Sequence, residues 1–166
     1  MPKTLVLLLS DDPALAARAR QVADGARRVR FAEVDVRRAG DPAGLRTAAD
    51  YDALVLGVAA GAGAADADAA LRTFAGTHPL ADTVGAAFAA GDVPGEARDA
   101  ACWAALRALA RHGLLLVPPT DSDDVGDDAE AAGRLGRRVA TVAGWVRHAR
   151  GHAHDHAHDH GHSHPH

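Results

Sequence analysis

The strongest constraint on the fold is a series of continuous apolar runs of strand length, each followed by a helical pattern. Leu5–Leu9 reads LVLLL, and Tyr51–Val58 runs from a Tyr-Asp pair into ALVLGV. A strand with one face in water alternates apolar and polar residues. A run without alternation fits a strand buried on both faces, as in a parallel sheet covered by helices. Phe31, Val34 and Val36 suggest a second strand, Thr83–Phe88 a fourth, and Leu114–Val117, closed by Pro118-Pro119, a fifth. Leu54, Val55, Leu56 and Leu114–Val117 are therefore expected to be buried.

Helical spacing fills the gaps between these runs. Asp12-Pro13 is an N-cap and N1 pair, and Leu15, Ala19, Val22 and Ala26 then recur on one helical face. Residues 39–50 have a Gly/Pro-rich start and a short helix. Ala67–Phe74 is helical after a Gly61–Ala65 loop, and Glu96–His112 is a helix with Cys102, Leu106 and Leu109 inward and Gly113 at its C-terminal end. Ala89–Gly95 and the acidic stretch Asp121–Asp128 are loops. Glu130–Arg150 closes the domain with Leu135, Val139, Val142 and Val146 on one face. Strands alternating with helices predict an α/β domain with a parallel sheet. Right-handed crossovers and a length of about 150 residues suit the doubly wound order 2-1-3-4-5. Residues 1–150 are thus one domain, followed by a separate tail.

Composition narrows the function. Aromatics are only 4% against 48% hydrophobic residues, so the core must be built from Ala, Val and Leu. Trp103 and Trp145 are expected in core or inter-helix packing. The 18 basic groups face 22 acidic ones, a net charge of -4, which leaves no electrostatic footprint for nucleic acid. No apolar stretch approaches the roughly 20 residues of a membrane span, and no signal peptide is visible. A single cysteine, Cys102, rules out an internal disulfide and reads as a buried structural thiol. The cytoplasm is the expected location. His112 and His148 are expected in the last turns of helices, where a cation favours the dipole. Gly57, Gly61 and Gly63 lack the spacing of a dinucleotide fingerprint, and the acidic run lacks the EF-hand ligand pattern.

The last sixteen residues, 151–166, read GHAHDHAHDHGHSHPH, with His152, His154, His156, His158, His160, His162, His164 and His166 at every second position. Nothing in this segment can build a core, which predicts a disordered tail. Neutral imidazole is the commonest protein ligand for borderline-soft divalent metals, so these eight histidines are candidate ligands for Ni, Zn, Co or Cu.

Three stretches carry a family resemblance. Tyr51-Asp52-Ala53-Leu54-Val55-Leu56-Gly57, Leu109–Val117 and Gly136-Arg137-Arg138-Val139-Ala140 resemble the third strand, the helix-to-fifth-strand passage and the final helix of flavodoxin-like proteins. Among these the chain most resembles the tryptophan-repressor-binding-protein type of NAD(P)H:quinone oxidoreductase. The resemblance implies a flavodoxin-like three-layer α/β/α sandwich, FMN at the carboxyl ends of the first, third and fourth strands, and a homo-oligomeric assembly. Ser10 matches the first hydroxyl of the phosphate loop, and Gly57, Gly61 and Gly91 match loop glycines around the flavin. The residues between them differ in chemistry. Asp11 and Asp12 put carboxylates where a phosphate dianion would lie, and Pro13 removes an N–H donor. The loop Gly57–Gly63 has no Pro, hydroxyl or aromatic residue. Two functions follow: a divergent FMN-dependent oxidoreductase that also binds metal, or a cofactor-less relative serving as a metal-binding, storage or chaperone protein.

Overall fold

A computed structural model describes residues 1–41, 47–92, 94–120 and 129–155, the last four by backbone alone. The strands are β1 (Lys3–Leu8), β2 (Glu33–Arg38), β3 (Ala53–Ala59), β4 (Val84–Ala90) and β5 (Leu115–Leu116). The helices are α1 (Pro13–Arg27), α2 (Ala64–Ala75), α3 (Gly95–Arg111) and α4 (Ala129–Asp155), with a short 3-10 turn at Ala48–Asp50. All strand pairs are parallel and the sheet order is β2-β1-β3-β4-β5, as the alternation of apolar runs and helices predicts.

The core has two halves, one on each face of the sheet. Leu5, Leu7, Leu54 and Leu56 face α2 and α3, where Leu71, Cys102, Leu106 and Leu109 close over them. Val6, Leu8, Val55 and Phe88 face the other way, onto Leu15, Ala19 and Val22 of α1 and Leu135 and Val139 of α4. Both faces of β1 and β3 are thus covered, which is why neither strand alternates. The Cys102 thiol is buried and donates to the Ala87 carbonyl at 3.4 Å, the structural role expected of it. Tyr51 is buried ahead of β3, and its hydroxyl donates to Asp35 on β2 at 2.8 Å.

Two helices lie unusually close. A Cβ built on Gly25 of α1 would sit 1.9 Å from the Gly133 carbonyl oxygen, and one on Gly136 of α4 would sit 1.9 Å from that of Val22. Glycine lets these backbones touch, and any larger residue would hold the helices apart.

Several expectations are corrected. Leu114 and Val117 are buried, but Leu115 and Leu116 are 44% and 39% exposed. The fifth run is a two-residue edge strand, so it has one hydrogen-bonded neighbour and incomplete helical cover. Phe31 is not in the second strand; it has φ 64 and is exposed in the turn before β2, with Arg30 over its ring. Trp103 and Trp145 do not pack in the core, being 54% and 68% exposed. The last helix continues past Arg150 to Asp155, because Gly151–Asp155 contains no proline to stop it. His148 therefore lies inside the helix rather than in its last turn. The acidic stretch 121–128 and the histidines from His156 onward lie outside the described residues.

Candidate functional site

Open α/β sheets bind ligands outside the carboxyl ends of the strands, where the strand order reverses. Here that switch point lies between β1 and β3, and three loops meet there: Leu9–Asp12 after β1, Ala60–Gly63 after β3 and the turn at Gly91-Asp92 after β4. The backbone ties them together. Leu9 N–H donates to the Gly57 carbonyl at 2.9 Å, and Ala60 N–H donates to the Ala90 carbonyl at 3.1 Å. A Cβ on Gly91 would lie 3.4 Å from that of Ala60 and 3.9 Å from the Asp12 carboxylate. Ser10, Gly61 and Gly91 are thus brought to one crevice.

Gly57 is not exposed there. A Cβ on it would lie 2.7 Å from both Leu8 Cδ2 and Phe88 Cζ, so this glycine leaves room for core packing below the crevice. Gly61 (φ +93) and Gly91 (φ +142) hold backbone conformations that other residues rarely adopt. Both serve the turns that open the crevice.

The N-terminus of α1 points its free N–H groups into the crevice, which is where an anion would bind. One of those donors is taken. Asp12 is the N-cap, and its Oδ1 accepts from Ala14 N–H at 2.7 Å. Pro13 contributes no N–H. The Ser10 hydroxyl accepts only a long 3.5 Å contact from Asp12 N–H. Asp11 is 82% exposed and pairs at 3.0 Å with Arg38 at the end of β2. The loop therefore carries two carboxylates of its own, with one placed on the helix where a phosphate oxygen would sit. The residues present do not fit a flavin phosphate. Nor is there an aromatic side chain in Ala60–Gly63 or at Gly91-Asp92 to stack on a ring.

A second cavity of about 390 Å³ opens beside the crevice, between α1 and the turn after β4. Arg18 and Gln21 line it from α1, and Gly91, Asp92 and Arg98 from the other side. Sequence reasoning missed it because Arg18 and Arg98 are far apart in the chain and each reads alone as a solvated helix residue.

Against solved structures the neighbours agree with one another. A flavodoxin from the domain Archaea superposes with TM-score 0.65 at 20% identity, over 86% of this chain and 99% of that one. The fold is flavodoxin-like. A WrbA-like flavodoxin from Agrobacterium tumefaciens matches with TM-score 0.65 at 20% identity over 88% of this chain and 99% of that one. Oxidised flavodoxin 1 from Bacillus cereus matches with TM-score 0.60 at 18% identity over 84% and 97%. No protein-family model matches the sequence, and no curated protein sequence does either. On this flavodoxin-like scaffold, no group of three His, Cys, Asp or Glu side chains among the described residues is placed to hold a metal ion. No helix among them is long and apolar enough to cross a membrane.

Proposed function

We propose that this chain is a flavodoxin-fold protein whose phosphate site is taken by its own Asp12 carboxylate, and that its ligand is a divalent metal bound by the C-terminal histidines. The observation that carries the first half is the 2.7 Å bond from Ala14 N–H to Asp12. A phosphate entering the crevice would have to displace that carboxylate while facing Asp11 as well. Like charges at contact distance disfavour this even before the missing Pro13 donor is counted. The second half rests on the tail chemistry. Neutral imidazoles at alternate positions from His152 to His166 suit Ni, Zn, Co or Cu, with the inherent order favouring copper.

The sites would shuffle among the eight histidines, each drawing three or four onto one ion. Closing such a site costs chain entropy, so affinity is moderate and no single His→Ala change abolishes it. Metal needs neutral imidazole, so binding fades below about pH 6.5, the unperturbed histidine value. Calorimetric titration of Ni, Zn and Co into the full chain and into one ending at Arg150 tests this half. Binding only by the full chain supports it, and equal binding by both chains defeats it.

A second reading keeps FMN and an NAD(P)H:quinone oxidoreductase type of reaction. It draws on the crevice at the topological switch point and on neighbours that are flavodoxins by name. In that reading Ser10, Gly61 and Gly91 would line the flavin. Flavin absorbance in the purified full chain distinguishes the two.

A further inference from the structure

Contacts settle which face of α4 the domain covers. Val139 and Ala143 are buried in the core. Further along, Arg147 donates to the Asp52 carboxylate at 3.0 Å, and Arg150 donates to the Asp82 carbonyl. These four positions follow one another at steps of four, four and three residues, so they share one stripe of the helix. His148 is exposed. It lies about 100° on from Arg147 and about 160° from Arg150, away from that stripe.

The helix runs on unbroken to Asp155, and its backbone register places two further residues on the stripe of His148. His152 follows His148 by four positions, about 40° around the axis, and Asp155 follows His152 by three. Residues at these spacings are neighbours, with Cβ atoms about 5–6 Å apart. His154 falls about 120° from His148, on the side of Arg150. The positions three and four residues to either side of His148 are Gly144, Trp145, Gly151 and His152. No lysine or arginine therefore stands beside it to repel a cation, although Arg147 and Arg150 are close in sequence.

We propose that His148 and His152 form a two-imidazole clamp on α4 that takes the first borderline divalent cation to bind, whether Ni, Zn, Co or Cu. The clamp rests on the reading that the C-terminal histidines bind metal, and gives that binding a fixed starting point. Two histidines four residues apart on one helical face can both ligate a single ion, as the two histidines of a helical zinc motif do. Asp155, one turn beyond His152, supplies the outer carboxylate that a ligating imidazole takes on its second ring N–H. A site made only of later histidines must order the chain between its ligands before it closes, at a cost in backbone entropy for each residue. The clamp's backbone is already ordered, and Arg147 and Arg150 fasten the same turn of helix to the domain. It is therefore filled first. Two protein ligands leave coordination positions open, which water or the later histidines complete.

Calorimetric titration of Ni into full-length chains tests the clamp. In one chain the six histidines from His156 onward are replaced by alanine, and this chain should still bind one Ni. In that background His148→Ala and His152→Ala should each weaken binding about tenfold or more, since loss of even an outer partner costs that much. His154→Ala should change it little. Gly151→Pro keeps every ligand but breaks the helix between the two histidines, and should weaken binding as strongly. Gly151→Ala adds a Cβ that meets nothing within 4 Å and favours the helix, so it should bind as well as the parent or better. No saturable binding by the six-alanine chain overturns the clamp, and so does binding indifferent to His148→Ala or to Gly151→Pro. If the unsubstituted chain still takes up Ni in those cases, metal binding by the tail stands without the clamp; if it takes up none, both fall. A six-alanine chain that binds as many ions as the unsubstituted one supports the clamp and defeats the tail.

Discussion

Gly136→Ala should destabilise the protein although alanine is the better helix former. The added Cβ would meet Val22 O at 1.9 Å, Val22 C at 2.8 Å and Ala26 N at 3.0 Å, all of them backbone atoms. Relief to the 3.0 Å that real contacts respect requires α1 and α4 to part by about 1 Å. A gap of that size forfeits a quarter to a half of each dispersion well across it. The seam holds Val22, Leu135 and Val139, all buried, and full burial of such side chains is worth about 1.5–3 kcal/mol each. The loss is then about 1–4 kcal/mol, offset by about 1 kcal/mol of helix propensity. A net loss of up to about 3 kcal/mol corresponds to a Tm lower by up to roughly 10 °C. One turn away the sign reverses. A Cβ on Gly133 finds its nearest atoms at 3.8 and 3.9 Å, so Gly133→Ala should gain about 0.5–1 kcal/mol. Urea and thermal unfolding followed by circular dichroism report both. Equal effects at the two positions, or a stabilised Gly136→Ala, would refute the close-contact geometry.

Other expectations are more local. The Thr4 hydroxyl is buried in β1 with no hydrogen-bond partner among the described residues, so Thr4→Val should stabilise by about 1 kcal/mol in urea unfolding. Asp12→Ala should cost about 1 kcal/mol by removing the α1 cap, whereas Asp12→Ser keeps a capping oxygen and should stay within about 0.5 kcal/mol of the parent. Metal binding measured by calorimetry at successive pH values should fall away below about pH 6.5, and a flat profile would argue for carboxylate ligands instead.

Much of this architecture was legible because burial on both sides of a sheet removes alternation. Leu5–Leu9 and Leu54–Leu56 carry that signal directly, and Asp12-Pro13 marks the start of α1 for reasons local to the chain. The errors arise where tertiary context decides. Leu114–Leu116 reads like β1, yet a strand with one neighbour leaves alternate residues uncovered. Trp103 and Trp145 are apolar by type but sit on helix flanks that this domain does not cover. Gly25 and Gly136 look like weak points of helices until the two helices are seen in contact. At the crevice, the unfavourable residues Asp11, Asp12 and Pro13 were visible in order. That Asp12 caps the helix, and so holds the place of an anion, required the structure. The role of Gly57 in making room for Phe88 and the pairing of Arg18 with Arg98 around one cavity also had no sequence signal.

The most direct measurement of the loop chemistry is a titration of FMN into the full chain, followed by flavin fluorescence, beside the same titration of Asp11→Ser/Asp12→Ser. With Asp12 holding the helix N-terminus, the parent should show no saturable binding at micromolar FMN, and the double variant should bind measurably better. Submicromolar binding by the parent, undiminished by the acidic loop, would contradict the proposal that this flavodoxin-like fold has closed its phosphate site with its own side chain.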